Sequence, residues 1–558
     1  MTQFYDEHRP SEDDRSEWNT PAVLRSHART RPDDIYLDMP WTGEQYSYAE
    51  TLTRAEQVGR GLIDAGAAPG DRVLLMMPNC SAHIFGWLGS AMAGLVEVPI
   101  NTAYRGSFLS HQVATTAPTI AVVDASFVDR FIALPDAVRS IRRFYVTGDV
   151  HAVARALAQL EQAGFAANPW TDLVAGRASA DVELPPVAGR DLGSIFFTSG
   201  TTGLSKGVMM PHAHMYLFAD QCVSLTRLTA EDVYLSVGPL FHGNSQFLAA
   251  YPALIAGCRY VMHERFSASD WTNQISEARA TVTNFVGVMM DFVWQQPVRD
   301  DDADNQLRCI FAAPTASSIL DGFKERFGVE AFVEVFGLTE TCMPILTPYG
   351  VDRPPGAAGR LNADWFDIRL VDSETDEEVA IGEVGELVVR TKVPWTMCQG
   401  YFAMPDKTVE AFRNLWFHTG DGLRRDHEGW YYFVDRLKDA IRRRGENISS
   451  YEVEQGLATH AAIAEVAAIG VPADQEAGED EVMVFVVLEP GHPAEPAEIW
   501  AFADDQLPAF AVPRYLRFVE QLPKTPSEKI RKIELREQGV DEQTHDRGPQ
   551  PKRQRGSK

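Results

Sequence analysis

Apolar positions along the chain fall into two alternating patterns. Some stretches repeat them at helical spacing, and others pack them into short runs. Residues 48–65 place apolar side chains three and four apart until Gly66 and Pro69-Gly70 interrupt them, which predicts an amphipathic helix. Residues 72–77 predict a buried strand ended by Pro78-Asn79, residues 81–93 a helix, and residues 96–100 another strand. Runs at 193–197, 308–312 and 332–336 predict further buried strands, each leading into a motif, and the alternation over 382–390 predicts an antiparallel strand. Strands interleaved with helices predict an α/β fold: a large N-terminal domain of layered α/β subdomains, closed by a β-rich subdomain.

Around residues 435–439 the chain becomes charged and loses its apolar positions. The pattern then starts afresh, with helix-like 450–460, strand-like 464–471 and 481–488, and helix-like 496–506. A stretch of about 100 residues suits a small, mobile α+β domain. The expected boundaries are 1–437 for the first domain and 438–540 for the second, with a hinge at Lys438. The remaining 541–558 has the composition of a disordered basic tail. No internal repeat is apparent.

Composition narrows the function. At 558 residues the chain exceeds one core, and 45% hydrophobic residues fit a globular protein. Its longest apolar stretch, 84–96, is closed by Glu97 and Pro99, short of the ~20 residues a membrane helix needs. The amino terminus is acidic and polar, without an apolar signal region, so a cytoplasmic location is expected. The six cysteines (Cys80, Cys222, Cys258, Cys309, Cys342 and Cys398) form no CxxC pair and indicate neither a disulfide framework nor a zinc site. A net charge of −27 argues against nucleic acid or an anionic membrane as partner. An anionic ligand would need a local basic island, such as Arg442 to Arg444, or Lys524, Lys529, Arg531 and Lys532.

Residues 197–207 carry the sharpest chemistry. Phe197 ends a buried run, and then come Thr198, Ser199, Gly200, Thr201, Thr202, Gly203, Leu204, Ser205, Lys206 and Gly207. Glycines let backbone N–H groups approach phosphate oxygens, hydroxyls add donors, and Lys206 adds charge. The spacing is not that of a Walker loop. Composition alone also fits a flexible surface loop, but the strand before it favours phosphate binding.

This loop resembles the phosphate-binding signature of the acyl-adenylate-forming superfamily, which includes acyl-CoA synthetases, adenylation domains of peptide synthetases, and firefly luciferase. Five further blocks follow in that family's order, and the resemblance spans about residues 20–540. Pro239 to Asn244 contains His242, the position that gates the acyl pocket in the family, although a histidine in an apolar run is more often a core residue. Phe311, Ala312, Ala313 and Pro314 match the segment against which adenine slots. Val335, Phe336, Gly337, Leu338, Thr339 and Glu340 match the block whose aromatic ring stacks on adenine and whose acid holds Mg²⁺, with Thr202 as a second metal contact. Asp421 matches the acid that accepts the ribose hydroxyls. Val434 and Arg436 match positions that contact the nucleotide, and Lys438 matches the hinge. Arg444 and Gly445 match the coenzyme A side, and Lys529 the lysine that meets the substrate carboxylate and the α-phosphate.

The resemblance implies an enzyme, an acid–thiol ligase that makes an acyl-adenylate from ATP and a small-molecule carboxylic acid and passes the acyl group to coenzyme A. Catalysis would rest on Lys529, Lys206, Glu340 and His242. The acyl pocket would be lined by His242, Gln246, Val286, Phe311, Ala312, Val335 and Met343, a mixed set that suits a small or medium acid. The segments NISSYEVE and LPKTPSEKIRK look most like the crotonobetaine/carnitine–CoA ligase branch. Two alternatives stay open: transfer to a carrier protein, an amine or another acceptor, and a non-catalytic nucleotide-binding relative. A homodimer is compatible with either. Two departures stand out. Ser205 replaces the usual proline, which is expected only to loosen the loop, and Glu528 replaces the glycine before Lys529, which is expected to point away, towards Arg531.

Overall fold

The computed structural model describes residues 10–175, 181–198, 205–286, 289–313, 319–436, 440–443, 446–474, 479–523, 530 and 532–548. Its contacts form two compact units. The first comprises residues up to Thr102, Val113–Phe197 and Gly207–Asp435. The second comprises Ala103–Gln112, Thr198–Lys206 and the chain from Arg436 onward.

The first unit is layered α/β. A seven-stranded sheet runs in the order Ala166–Pro169, Arg143–Thr147, Ile120–Asp124, Arg72–Met76, Val96–Pro99, Leu192–Thr198 and Lys206–Pro211. A nine-stranded sheet has a parallel centre in which Val233–Ser236, Val282–Val286, Cys309–Ala313 and Ala331–Leu338 lie side by side, and an antiparallel hairpin partner, Cys342–Thr347. A four-stranded sheet of Phe366–Val371, Val384–Thr391, Phe417–Arg425 and Tyr431–Arg436 completes it. The helix Tyr48–Asp64 starts on a capping box, with Ser47 and Glu50 satisfying each other's backbone N–H. It lies so close to Ser81–Met92 that a Cβ on Gly89 would stand 2.4 Å from Val58, so glycine is what lets the two helices meet. Every residue of Ser81–Met92 after its first is buried, as expected for a helix apolar on nearly all sides.

In the second unit the hairpin Ala440–Arg443 with Glu446–Ser449 precedes the helix Ser450–Ala458. A four-stranded sheet follows, in the order Ile463–Asp474, Glu479–Leu488, Tyr515–Phe518 and His545–Asp546. Its core gathers Ile441, Ile448, Leu457, Val484 and Leu507, and includes Phe108.

The elements expected from the sequence are present to within three residues at their ends. One expectation is corrected. Composition predicts a disordered tail from residue 541, yet His545–Asp546 pairs with Tyr515–Phe518, and Asp546 accepts two 3.0 Å hydrogen bonds from Arg514. Arg547 likewise reaches Asp504. Paired charges hold a segment whose composition lacks apolar anchors.

Candidate active site

The strands Ala331–Leu338 and Cys342–Thr347 form a hairpin whose register slips between Phe336 and Leu338. The cause is local. Cys342 adopts a left-handed φ of 57°, and a Cβ on Gly337 would stand 2.1 Å from the Cys342 carbonyl oxygen, so no other residue fits there. The resulting tight turn buries Glu340, whose carboxylate accepts a 3.0 Å hydrogen bond from the Tyr401 hydroxyl. Its backbone carbonyl accepts another from the Cys398 N–H. Val335 and Met343 are buried, whereas Phe336, Gly337 and Thr339 remain half-buried. The Phe336 ring meets that of Phe433 at 6.1 Å, nearly parallel.

Phe433 belongs to the strand Tyr431–Arg436, which also carries Val434 and Arg436 and borders the strand bearing Asp421. Asp421 is buried, and its N–H donates to Thr419 Oγ1. The turn before it is fixed by Glu386, which accepts from the Gly420 N–H and from His418 Nδ1, both at 3.0 Å, and pairs with Arg413. Burial alone would raise the Glu386 carboxyl, but the bond and charge of His418 hold it below the ordinary glutamate value.

His242 is half-buried, so it is not a packed core histidine, and it caps the short helix Gly243–Ser245. One turn later Gln246 is fully buried, with its Nε2 donating to Glu97 Oε1. Glu97 lies in the strand Val96–Pro99 and also accepts from Ser194 Oγ at 3.1 Å. Between them in sequence, Asn244 accepts from Asn284, the cross-strand neighbour of Phe311. Phe311 packs in the same cluster as Val335 and Met343. Ala312 does not. Strand alternation turns it to the other side of the sheet, among Phe285 and Phe323, so these four residues do not share one wall. Val286 and Ala313 end their strands as register partners.

The AMP-binding enzyme family model matches residues 24–402, and its C-terminal domain model matches residues 452–529. This chain belongs to the AMP-binding enzyme family. Proteins named crotonobetaine/carnitine–CoA ligase from Salmonella heidelberg and Salmonella typhimurium are each 30% identical to it over 500 residues, which is 88% of this chain and 93% of theirs. The fold matches a double mutant of o-succinylbenzoate–CoA synthetase (MenE) from Bacillus subtilis, solved with a product analogue, at TM-score 0.77 and 22% identity over 93% of this chain and 98% of that one. ATP-bound MatB from Rhodopseudomonas palustris matches at TM-score 0.64 and 27% identity, over 93% and 99%. The chain is an ATP-dependent acid–CoA ligase that works through an acyl-adenylate. Among the described residues, no helix is long and apolar enough to cross a membrane.

Within this family frame, the Glu340 carboxylate fits a magnesium ion, since it is a hard oxygen donor, buried and already oriented by Tyr401. When bound, the ion neutralises phosphate oxygens. Thr198 and Lys206 flank the segment expected from the sequence to hold phosphate, while Ser199, Gly200, Thr201, Thr202 and Gly203 lie outside the described residues. So do Pro314, Lys438, Arg444, Gly445, Glu528, Lys529 and Arg531.

Three sequence readings change in the second unit. Ser205 does not loosen its segment. It is buried, its N–H donates to the Glu452 carboxylate, its carbonyl accepts from His111 at 2.8 Å, and its hydroxyl accepts from Gln112 at 3.3 Å. Proline has no N–H to make the first of these bonds. Arg443 is not part of an anion-binding island. Strand alternation turns it inward beside Ile441, where it donates to the Phe510 and Val512 carbonyls at 2.9 Å and pairs with Glu481 at 2.6 Å. Lys532 is likewise committed, 2.7 Å from both Glu454 and the Ser450 hydroxyl.

Sequence reasoning missed Tyr401, Glu386 and Glu97. Only Glu97 carried a signal, as a lone acid inside the apolar run Leu95 to Pro99.

Proposed function

We propose that Lys206, Glu340, Asp421 and Lys529 carry the adenylation half-reaction. The carboxylate of the acid attacks the α-phosphate and displaces pyrophosphate. Two anions must meet, so the protein's task is charge neutralisation and positioning. Lys206 and the backbone N–H groups of residues 198–203 serve the β- and γ-phosphates, and Lys529 serves the α-phosphate and the carboxylate. Phe336 stacks on adenine and Asp421 accepts the ribose hydroxyls, with Arg436 and Val434 beside them. His242 gates the acyl pocket.

The observation that carries this reading is the buried Glu340 held by Tyr401 next to the half-buried Phe336, on a hairpin that only Gly337 permits. The domain from residue 438 then turns about Lys438, withdrawing Lys529 and presenting Gly445 and Arg444 to coenzyme A for thiol attack. With Arg443 committed to the core, Arg444 becomes the principal cation of that run for the coenzyme's phosphates. A cytoplasmic location belongs to the same proposal, since ATP and coenzyme A are both available there. The Salmonella relatives' names suggest a small polar acid.

ATP–pyrophosphate exchange across a panel of carboxylic acids tests the first half-reaction, and thioester formation with coenzyme A against an acyl carrier protein tests the second. No exchange with any acid, with ATP still bound, would overturn the reading.

A further inference from the structure

The hairpin that carries Phe336 and Glu340 contains a β-bulge. Phe336 pairs with Ile345 and Leu338 with Cys342, so Met343 and Pro344 together face Gly337. Bulges are concentrated beside active sites, where they re-aim a side chain. Pro344 has no N–H, and the Met343 N–H has no register partner across the hairpin. A side chain supplies what the ladder does not: Gln221 Oε1 accepts from the Met343 N–H at 3.3 Å.

Gln221 lies on the buried helix His212–Thr226. Two turns earlier on that helix, the His214 carbonyl oxygen stands 3.6 Å from Cys342 Sγ, so one helix meets both residues that open the second strand. A backbone N–H can only donate, so the Gln221 amide must turn its oxygen to Met343, which leaves Nε2 on the far side. Among the described residues, that buried Nε2 has no acceptor and the buried Oδ1 of Asn362 has no donor. Both residues line a cavity of about 10 Å³ beside Asp220 and Ser224, room for one water. A water there accepts from Gln221 and donates to Asn362. Asn362 in turn donates its N–H to the Pro344 carbonyl at 2.9 Å, so each residue of the bulge has its own tie.

We propose that Gln221 is a positioning residue for adenylation: it fixes the bulge, and with it the Met343 side of the acyl pocket, while one buried water steadies its amide. The inference rests on the reading that Met343 lines that pocket. Glu340 keeps its own ties to Tyr401 and Cys398, and Phe336 keeps its pairing with Ile345. Loss of the Gln221 bond therefore loosens Met343 without freeing the residues that serve ATP. Acid binding and ATP binding part company.

The test is pyrophosphate exchange with straight-chain acids from acetate to octanoate and with benzoate, taking forward the acid with the highest kcat/KM. Gln221→Met conserves volume and removes the acceptor. It should raise KM for the acid roughly 10-fold, the scale of a modest misplacement, with KM for ATP little changed. Gln221→Glu keeps an oxygen towards the Met343 N–H and should retain the wild-type KM for the acid. A purely structural role would lower the amount of active enzyme, and so kcat, without moving either KM. An unchanged KM for the acid in Gln221→Met, an equal rise for acid and ATP, or the same rise in Gln221→Glu would sink this inference and spare the ligase reading; no exchange with any acid would sink both. Deuterium exchange on the wild-type chain needs no variant. The Met343 amide should exchange as slowly as those of residues 345–347, and fast exchange would overturn the proposal even if neither variant folds.

Discussion

The Tyr401 hydroxyl stands 3.0 Å from Oε1 of Glu340 and donates to it, so the acid on the hairpin turn is oriented by a residue from a different part of the chain. A carboxylate oriented in this way presents a defined lone pair to a metal ion, and loss of such an outer partner typically costs 10–100-fold in metal affinity. Tyr401→Phe keeps the ring's packing and removes the donor. The Mg²⁺ concentration needed for half-maximal pyrophosphate exchange should rise roughly 10-fold, with little change in the ATP requirement at saturating metal. An unchanged Mg²⁺ titration would remove Tyr401 from the site's support.

Ser205 separates the two ways a side chain can matter at its position. Ser205→Ala keeps the N–H that meets Glu452 and loses the hydroxyl's contacts with Gln112 and with the same carboxyl group. Ser205→Pro loses the hydroxyl and the N–H together, removing one more donor from the buried Glu452 carboxyl, at a further cost of about 1–3 kcal/mol. Urea unfolding should therefore show a larger loss for proline than for alanine. Equal losses would mean that the hydroxyl, not the N–H, is what the second unit uses.

How legible such features are depends on how far the partner lies along the chain. Strands ending in glycine or hydroxyl residues announce themselves locally, and so do Phe336, Gly337 and Glu340, which sit within five positions. Tyr401 lies 61 residues from Glu340, and Gln246 lies 149 from Glu97, so neither pairing leaves a periodic trace. Arg443 shows the reverse failure. Three arginines in a row look alike as composition, but strand alternation gives the middle of the run to the core beside Ile441. The same alternation sends Phe311 and Ala312 to opposite faces, a separation that a motif read as a block of neighbours conceals.

Glu97 makes a prediction about stability. Burial pushes its carboxyl up to about 8, against the pull of the hydrogen bonds from Gln246 and Ser194. Between the unfolded value near 4.5 and about 8, the unfolded chain has released this proton while the folded chain still holds it. The unfolded state thus binds fewer protons, and Glu97 removes stability as pH rises through that window, approaching about 1.4 kcal/mol per pH unit. Glu97→Gln has no proton to lose. Its stability relative to the wild type should therefore climb from pH 5 towards pH 8 in parallel denaturant titrations. A difference flat in pH would mean that Glu97 is already ionised in the folded chain.

Lys206 and Lys529 would be interchangeable if both merely attracted ATP, and the proposed mechanism denies that. Lys529 belongs to the half-reaction in which the carboxylate meets the α-phosphate, so Lys529→Ala should lower adenylation by roughly 10²–10³-fold, the scale of losing one charge-stabilising donor. Thioester formation from supplied acyl-AMP and coenzyme A should persist, because Lys529 is withdrawn by then. Lys206→Ala should act through the triphosphate, raising the ATP concentration needed for exchange and leaving the second half-reaction untouched. Replacing Gly445 with a bulky residue should give the opposite split, with exchange preserved and thioester formation lost. The three variants together distinguish a chain that alternates between two arrangements from one that performs both steps in a single arrangement. In the latter case Lys529→Ala would damage both half-reactions equally, and the hinge at Lys438 would have no catalytic role.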